Sequence, residues 1–90
     1  ILTFKDKETA RIAAGHFSKR FPHEIQQRTK ALIDRLRSTV TIDELRVPPS
    51  LRLEKLKGNR AGQHSIRVND QSRICYCWKS EGATQVELTD

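Results

Sequence analysis

The sequence predicts an α+β fold: a small antiparallel β-sheet with two to three N-terminal helices packed on one of its faces. Three observations predict it. Helical periodicity fills the first half of the chain, and two-residue alternation takes over after position 51. The alternating segments are separated by turn-forming stretches, Gly58-Asn59-Arg60-Ala61-Gly62, Asp70-Gln71 and Glu81-Gly82. Finally, 90 residues suffice for one modest core. With no internal repeat and no linker, residues 1–90 read as a single domain.

The elements follow in order. Leu2-Thr3-Phe4 alternates and predicts a short strand. Asp6 is a helix N-cap, and Ala10, Ile12, Ala13, Ala14 and Phe17 give a short helix with a thin apolar face, ended by Gly15. Pro22 suits a helix start, because its missing N–H costs nothing there. Over residues 24–38, Ile25, Thr29, Leu32 and Leu36 fall at i, i+4, i+7 and i+11, predicting the longest helix. Thr41-Ile42-Asp43-Glu44 fits a capping box and predicts one further helical turn, which Val47-Pro48-Pro49 stops. Residues 51–57, 63–69, 72–79 and 84–89 then read as strands.

Alternation also sorts the sheet faces. Ile66 and Val68 share one parity, as do Ile74, Tyr76 and Trp78. Arg67 and Asn69, then Arg73, Cys75 and Cys77, share the other. The apolar sets meet only when paired residue numbers sum to an even value, as with Asn69 opposite Arg73; a slip of one would drive Arg73 beneath the helices. The helices therefore cover Ile66, Val68, Ile74, Tyr76 and Trp78, leaving Arg67, Asn69, Arg73 and both cysteines on the open face.

Charge sets the function classes. Lys and Arg number 17 against 11 Asp and Glu, a net charge of +6. That excess favours a polyanion or an acidic partner. Between residues 51 and 79 the basic residues are Arg52, Lys55, Lys57, Arg60, Arg67, Arg73 and Lys79, against Glu54 and Asp70 alone. Such a sheet face suits a phosphodiester backbone, although a solvated outer face is the commoner fate of surface charge. No apolar run approaches the ~20 residues of a membrane span, and no signal peptide is visible. Cys75 and Cys77 lie ~6.6–6.8 Å apart at Cα in an extended strand, which disfavours a disulfide. They are too few to ligate zinc. The expectation is a reduced, cytoplasmic protein with no cofactor, no metal site and no membrane contact.

The stretch Arg46-Val47-Pro48-Pro49, then the block from Leu53-Glu54-Lys55-Leu56-Lys57-Gly58-Asn59-Arg60-Ala61-Gly62 through Ser65-Ile66-Arg67-Val68-Asn69 to Arg73-Ile74, resembles the HigB branch of the RelE/ParE toxin superfamily. Phe4-Lys5-Asp6 and Val86-Glu87-Leu88 are also similar to it. The resemblance implies a RelE-like fold and a metal-independent endoribonuclease, an mRNA interferase, of a type II toxin–antitoxin module. Such toxins cut translated messages in the decoding site of the small ribosomal subunit. The ribose 2′-hydroxyl attacks the adjacent phosphate and leaves a 2′,3′-cyclic phosphate; the cleavage inhibits translation and growth. The partners implied are a helix-turn-helix antitoxin of the HigA type, the ribosome and its message, with promoter DNA contacted only through the antitoxin.

The chemistry needs a base, an acid and cations for the crowded phosphorane. Arg73, in the Arg-Ile motif, is assigned to the transition-state phosphate, where a planar, permanently charged guanidinium gives bidentate contact. Lys57 resembles a family lysine near the scissile phosphate. Asp90 matches the first member of the family's Asp-Tyr-His end, as an orienting group or base; the Tyr and His have no counterpart in the sequence. Arg60, Arg67, Asn69, Gln71 and Lys55 are the expected RNA-binding residues, Arg67 being equally suited to a structural ion pair. His64 shares parity with Ile66 and reads as a half-buried structural histidine. Two further readings stay open: a ParE-like toxin that inhibits DNA gyrase, and a basic RNA-binding module without toxicity.

Overall fold

Helix α1, Lys7–Ala13, begins after Asp6 in extended conformation. A computed structural model of the chain describes residues 2–80 and 82–89. The helix ends where the sequence places its glycine: Gly15 adopts φ +88, donating from its amide to Ile12 O (3.0 Å) while the His16 amide donates to Arg11 O (2.9 Å). This paired closure needs a left-handed residue, which glycine supplies without a Cβ clash. Phe17 lies beyond the turn and is 51% exposed, so it does not extend the apolar face of α1.

Helix α2, His23–Ser38, buries Ile25, Thr29, Leu32, Ile33 and Leu36, with Pro22 as its N-cap rather than its first residue. The Thr29 hydroxyl is satisfied by Ile25 O at 2.7 Å. Buried Gln26 pins the connection between the helices: its Nε2 donates to Ser18 O (2.7 Å) and Phe21 O (2.8 Å), and its Oε1 accepts from Ser18 N (2.9 Å). A buried amide is tolerable when its donors and acceptor are engaged in this way. The expected capping box forms a 3₁₀ turn, Ile42–Arg46. Glu44 accepts from the Thr41 amide at 2.8 Å, and that backbone hydrogen bond, outweighing desolvation, holds its carboxyl below the usual range.

The sheet is a four-stranded antiparallel meander in the order β1-β2-β3-β4, formed by Glu54–Lys55, Gln63–Arg67, Arg73–Lys79 and Gly82–Thr89. β1 is much shorter than the alternation over 51–57 suggests. Pro49–Leu51 forms a 3₁₀ turn, and Arg52 follows in the left-handed region at φ 47, so the ladder starts only at Glu54. The Leu2-Thr3-Phe4 segment makes a single parallel bridge, Phe4 to Val86, rather than a strand. β2 stops at Arg67 because the next residues close the hairpin: Val68 and Asn69 both donate to Ser72 O, at 2.9 and 3.2 Å.

The β2–β3 register has the expected parity, but Arg67, not Asn69, lies opposite Arg73. Asn69 is used in the turn instead. A bulge follows on β4: Cys75 pairs Glu87 while Cys77 pairs Thr84, which inserts one residue opposite Tyr76. Gln85 takes φ 53 there. The bulge resets the alternation so that Ala83, Val86 and Leu88 all face the core.

Both helices pack on β4. The core joins Ile12, Ile33 and Leu36 of the helices to Ile66, Val68, Ile74, Tyr76, Val86 and Leu88 of the sheet side, with Trp78 half-buried at its edge. Among the described residues no helix is long and apolar enough to cross a membrane.

Candidate nucleic-acid interface

The sheet face turned away from the helices carries Glu54, Ser65, Arg67, Arg73, Cys75 and Glu87, as the pairings Glu54 with Ser65, Arg67 with Arg73, and Cys75 with Ser65 and Glu87 require. Two polar hollows lie on it. One, of about 260 Å³, is lined by Arg52, Glu54, Ser65, Arg67 and Arg73, with Asn69 and Asp70. The other, of about 340 Å³, is lined by Leu56, Arg60, Gln71, Ser72, Arg73 and Cys75, with Asn69, Asp70 and Thr89. Arg73 stands in the wall they share, so one guanidinium can serve a group in either hollow.

The cations are held by carboxylates. Arg73 Nη1 lies 3.7 Å from Glu54 Oε2, Arg67 is paired with Asp70, and Arg60 Nη1 lies 3.1 Å from Glu87 Oε1, with Lys5 Nζ at 3.9 Å from the same oxygen. Pairs this exposed contribute little to stability, of order 0–1 kcal/mol. They do place a carboxylate beside each of the three guanidiniums. Four arginines thus face three carboxylates, and Arg52 has no acidic partner among the described residues.

Arg73 and Arg67 come together as cross-strand neighbours. Arg60 reaches the second hollow and also donates to Gln63 Oε1 at 3.2 Å. Gln71 is exposed on the rim of that hollow. The Asn69 side-chain oxygen accepts from the Gln71 and Ser72 amides at 2.9 and 2.7 Å. It therefore shapes the hairpin end on which Arg73 sits, while Asn69 itself lines both hollows. Lys57 is exposed at the start of the Gly58–Arg60 turn and lines neither hollow. Lys55 departs from expectation: its register partner is His64, so it lies on the helix side of the sheet, away from Arg73. Asp90 lies outside the described residues.

The open face is less bare than alternation suggests. Cys75 is on it but only 1% exposed, and burial pushes its thiol pKa up. Cys77 is half-buried and both cysteines are free thiols. Ser65 is 2% exposed beside them. Small side chains form the floor, and arginines form the walls. On the other side His64 is half-buried, stacked on Tyr76 with centroids 6.3 Å apart. Its pKa is lowered by desolvation, then by Lys55 and Arg46. That is a structural histidine, as its parity suggests. Among the described residues no three His, Cys, Asp or Glu side chains converge as metal ligands.

Arg52, Glu54 and Glu87 complete the face; Glu54 and Glu87 fall within the family-like stretches, but nothing in those stretches assigns them a role. The parity of Glu87, out of step with Val86 and Leu88, is the one sequence feature that points it there.

Comparison with known proteins agrees with this architecture. The family of RelE-like HigB toxins of type II toxin–antitoxin systems matches residues 2–89. Toxin HigB-1 of Vibrio cholerae serotype O1 is 35% identical over 78 residues, covering 86% of this chain and 82% of that protein. A chain of the YoeB–YefM complex from Staphylococcus aureus matches with a TM-score of 0.65 at 16% identity, covering 100% of this chain and 94% of its own length, a likeness of fold. With two helices on one face of a four-stranded antiparallel sheet, and a match along nearly its whole length, the chain belongs to the HigB-like branch of the RelE toxin family of type II toxin–antitoxin systems.

Proposed function

We propose that the chain is a metal-independent endoribonuclease that cleaves translated messages in the ribosomal decoding site, in the cytoplasm, and so arrests growth. The observation that carries this reading is the position of Arg73 in the wall between two polar hollows on the helix-free face. A phosphodiester lying across that wall has one nucleotide toward each hollow and its phosphate at the guanidinium.

The step is an internal transesterification. The 2′-oxygen bonds to phosphorus, the bond to the 5′-oxygen breaks, a base takes the 2′-proton and an acid returns one to the leaving oxygen. Products are a 2′,3′-cyclic phosphate and a 5′-hydroxyl. Arg73 meets the extra negative charge of the phosphorane, where a preorganised donor is worth most. Arg67 and Arg60 place the flanking backbone, Gln71 reaches a base or ribose, and Asn69 holds the turn with its amino group free for the strand. Lys57, outside both hollows, serves the strand only beyond the phosphate at Arg73. Among the described carboxylates of the first hollow, Glu54 stands 3.7 Å from Arg73 and is suited to the 2′-proton. Asp90 acts as a further orienting group or base. The ribosome supplies alignment, itself worth several powers of ten. Lys55, on the other side of the sheet, has no part in this arrangement.

The partner is a small helix-turn-helix antitoxin of the HigA type, and promoter DNA is reached only through it. Primer extension on translated messages after induction tests the reading. Wild type is expected to produce discrete breaks within reading frames, and Arg73→Ala is expected to abolish them. Growth arrest with intact messages would instead favour a ParE-like target such as DNA gyrase.

A further inference from the structure

The open face holds one cation that the chain goes out of its way to place. Arg52 has φ 47 and ψ 57, a left-handed conformation that costs an L-residue a Cβ clash and that glycine adopts freely. Buried Leu51 on one side and half-buried Leu53 on the other anchor the chain there. The side chain lines the first hollow beside Arg67 and Arg73. Those two guanidiniums are matched by Asp70 and Glu54, whereas Arg52 has no acidic partner among the described residues. The surplus positive charge of the hollow therefore rests on Arg52.

We propose that Arg52 is a phosphate clamp that grips a phosphodiester next to the one at Arg73. The inference rests on the nuclease reading for its substrate. A guanidinium suits the task because its planar fork meets two phosphate oxygens at once. It need not first surrender a carboxylate, so it is the cation most ready for an incoming polyanion. The phosphodiester belongs either to the message or to the ribosomal RNA around it, and the chemistry of the grip is the same.

The test uses the full chain with Arg52→Gly and Arg52→Lys. Glycine suits φ 47, so Arg52→Gly is expected to keep or raise the thermal midpoint, which separates binding from folding. On ribosomes programmed with a defined message, the toxin concentration giving half-maximal single-turnover cleavage should rise about tenfold. The maximal rate should fall by less than that. The dependence of apparent affinity on salt should lose about one unit of slope. Arg52→Lys should restore that slope. A second arm measures binding of each variant to a fluorescent 2′-O-methyl oligoribonucleotide, which cannot be cleaved. Weakening in both arms supports a message phosphate, and weakening on ribosomes alone supports a ribosomal RNA phosphate. Unchanged half-saturation and unchanged salt slope in both arms, with wild type still cleaving, overturn the clamp and leave the nuclease reading standing. Should wild type cleave nothing, the nuclease reading fails. The oligonucleotide arm then decides the clamp alone: weakening supports it and no change overturns it.

Discussion

On the helix side of the sheet, Ile66, Ile74, Tyr76 and Val86 are fully buried, and among the described residues no charged side chain is buried. On the other side, Arg60, Arg67 and Arg73 are each aligned by a carboxylate while remaining open to solvent. One side is held by area removed from water, a large and non-directional term. The other is held by ion pairs that contribute little net stability but set direction. The difference teaches a division of labour: losses on the helix side should appear in folding, and losses on the open side in chemistry.

The largest expected separation comes from Arg73→Ala. With its preorganised donor gone, cleavage should fall by about 10²–10³-fold, while the urea midpoint hardly moves, because the side chain is 47% exposed. Comparable losses in both quantities would break the division. Its mirror image is Ile66→Ala at a fully buried position. Loss of transfer energy plus a residual cavity should cost about 2–5 kcal/mol, read by equilibrium urea unfolding. Cleavage per folded molecule should be retained.

These two positions also show what the sequence discloses. Ile66 and Arg73 are sorted by alternation, because a two-residue period assigns every strand residue to a face and only one class of register brings the apolar sets together. The same reasoning finds α2 from its periodicity and the end of α1 from Gly15. It does not find the specific pairing of Arg67 with Arg73, because turn length sets the register and Asn69 is consumed by the hairpin end. Nor does it find the β4 bulge, which adds a residue without any composition signal. Lys55 illustrates the cost: charge groups it with the cations of the open face, and its register with His64 puts it on the other side. The carboxylate partner of Arg60 is hidden for a further reason. Glu87 is 27 residues from Arg60, a distance at which no local pattern operates.

Smaller effects sharpen the contrast. Gly15→Ala forces a Cβ into the left-handed region at φ +88 and should cost about 1–2 kcal/mol in thermal or urea melts. Cleavage should be untouched, since the turn lies among the helices. Glu87→Gln releases Arg60 and Lys5 from their shared carboxylate. Discounted for solvent screening, stability should change by less than about 1 kcal/mol, whereas cleavage should change several-fold as Arg60 loses its direction. An activity equal to wild type would show that the pair is only structural.

The finest test is pH. Burial, then Lys55 and Arg46, lower the His64 pKa from 6.5. The unfolded chain therefore binds this proton more readily than the folded one. The stability contributed by the neutral ring is complete above pH 6.5 and is lost as pH falls through the lowered folded value. Urea midpoints should decline on acidification from pH 6.5 down to that lowered value, and His64→Phe, which keeps a ring against Tyr76, should flatten the decline.

Most direct of all is the single-turnover rate on purified ribosomes carrying one defined message, with the new ends identified chemically. Wild type should yield a 2′,3′-cyclic phosphate at a measurable rate without added divalent cation beyond that required by the ribosome, and folded Arg73→Ala should be slower by at least about a hundredfold. An Arg73→Ala protein that is folded and cuts at the wild-type rate would contradict the assignment of the open face as the place where RNA is cleaved.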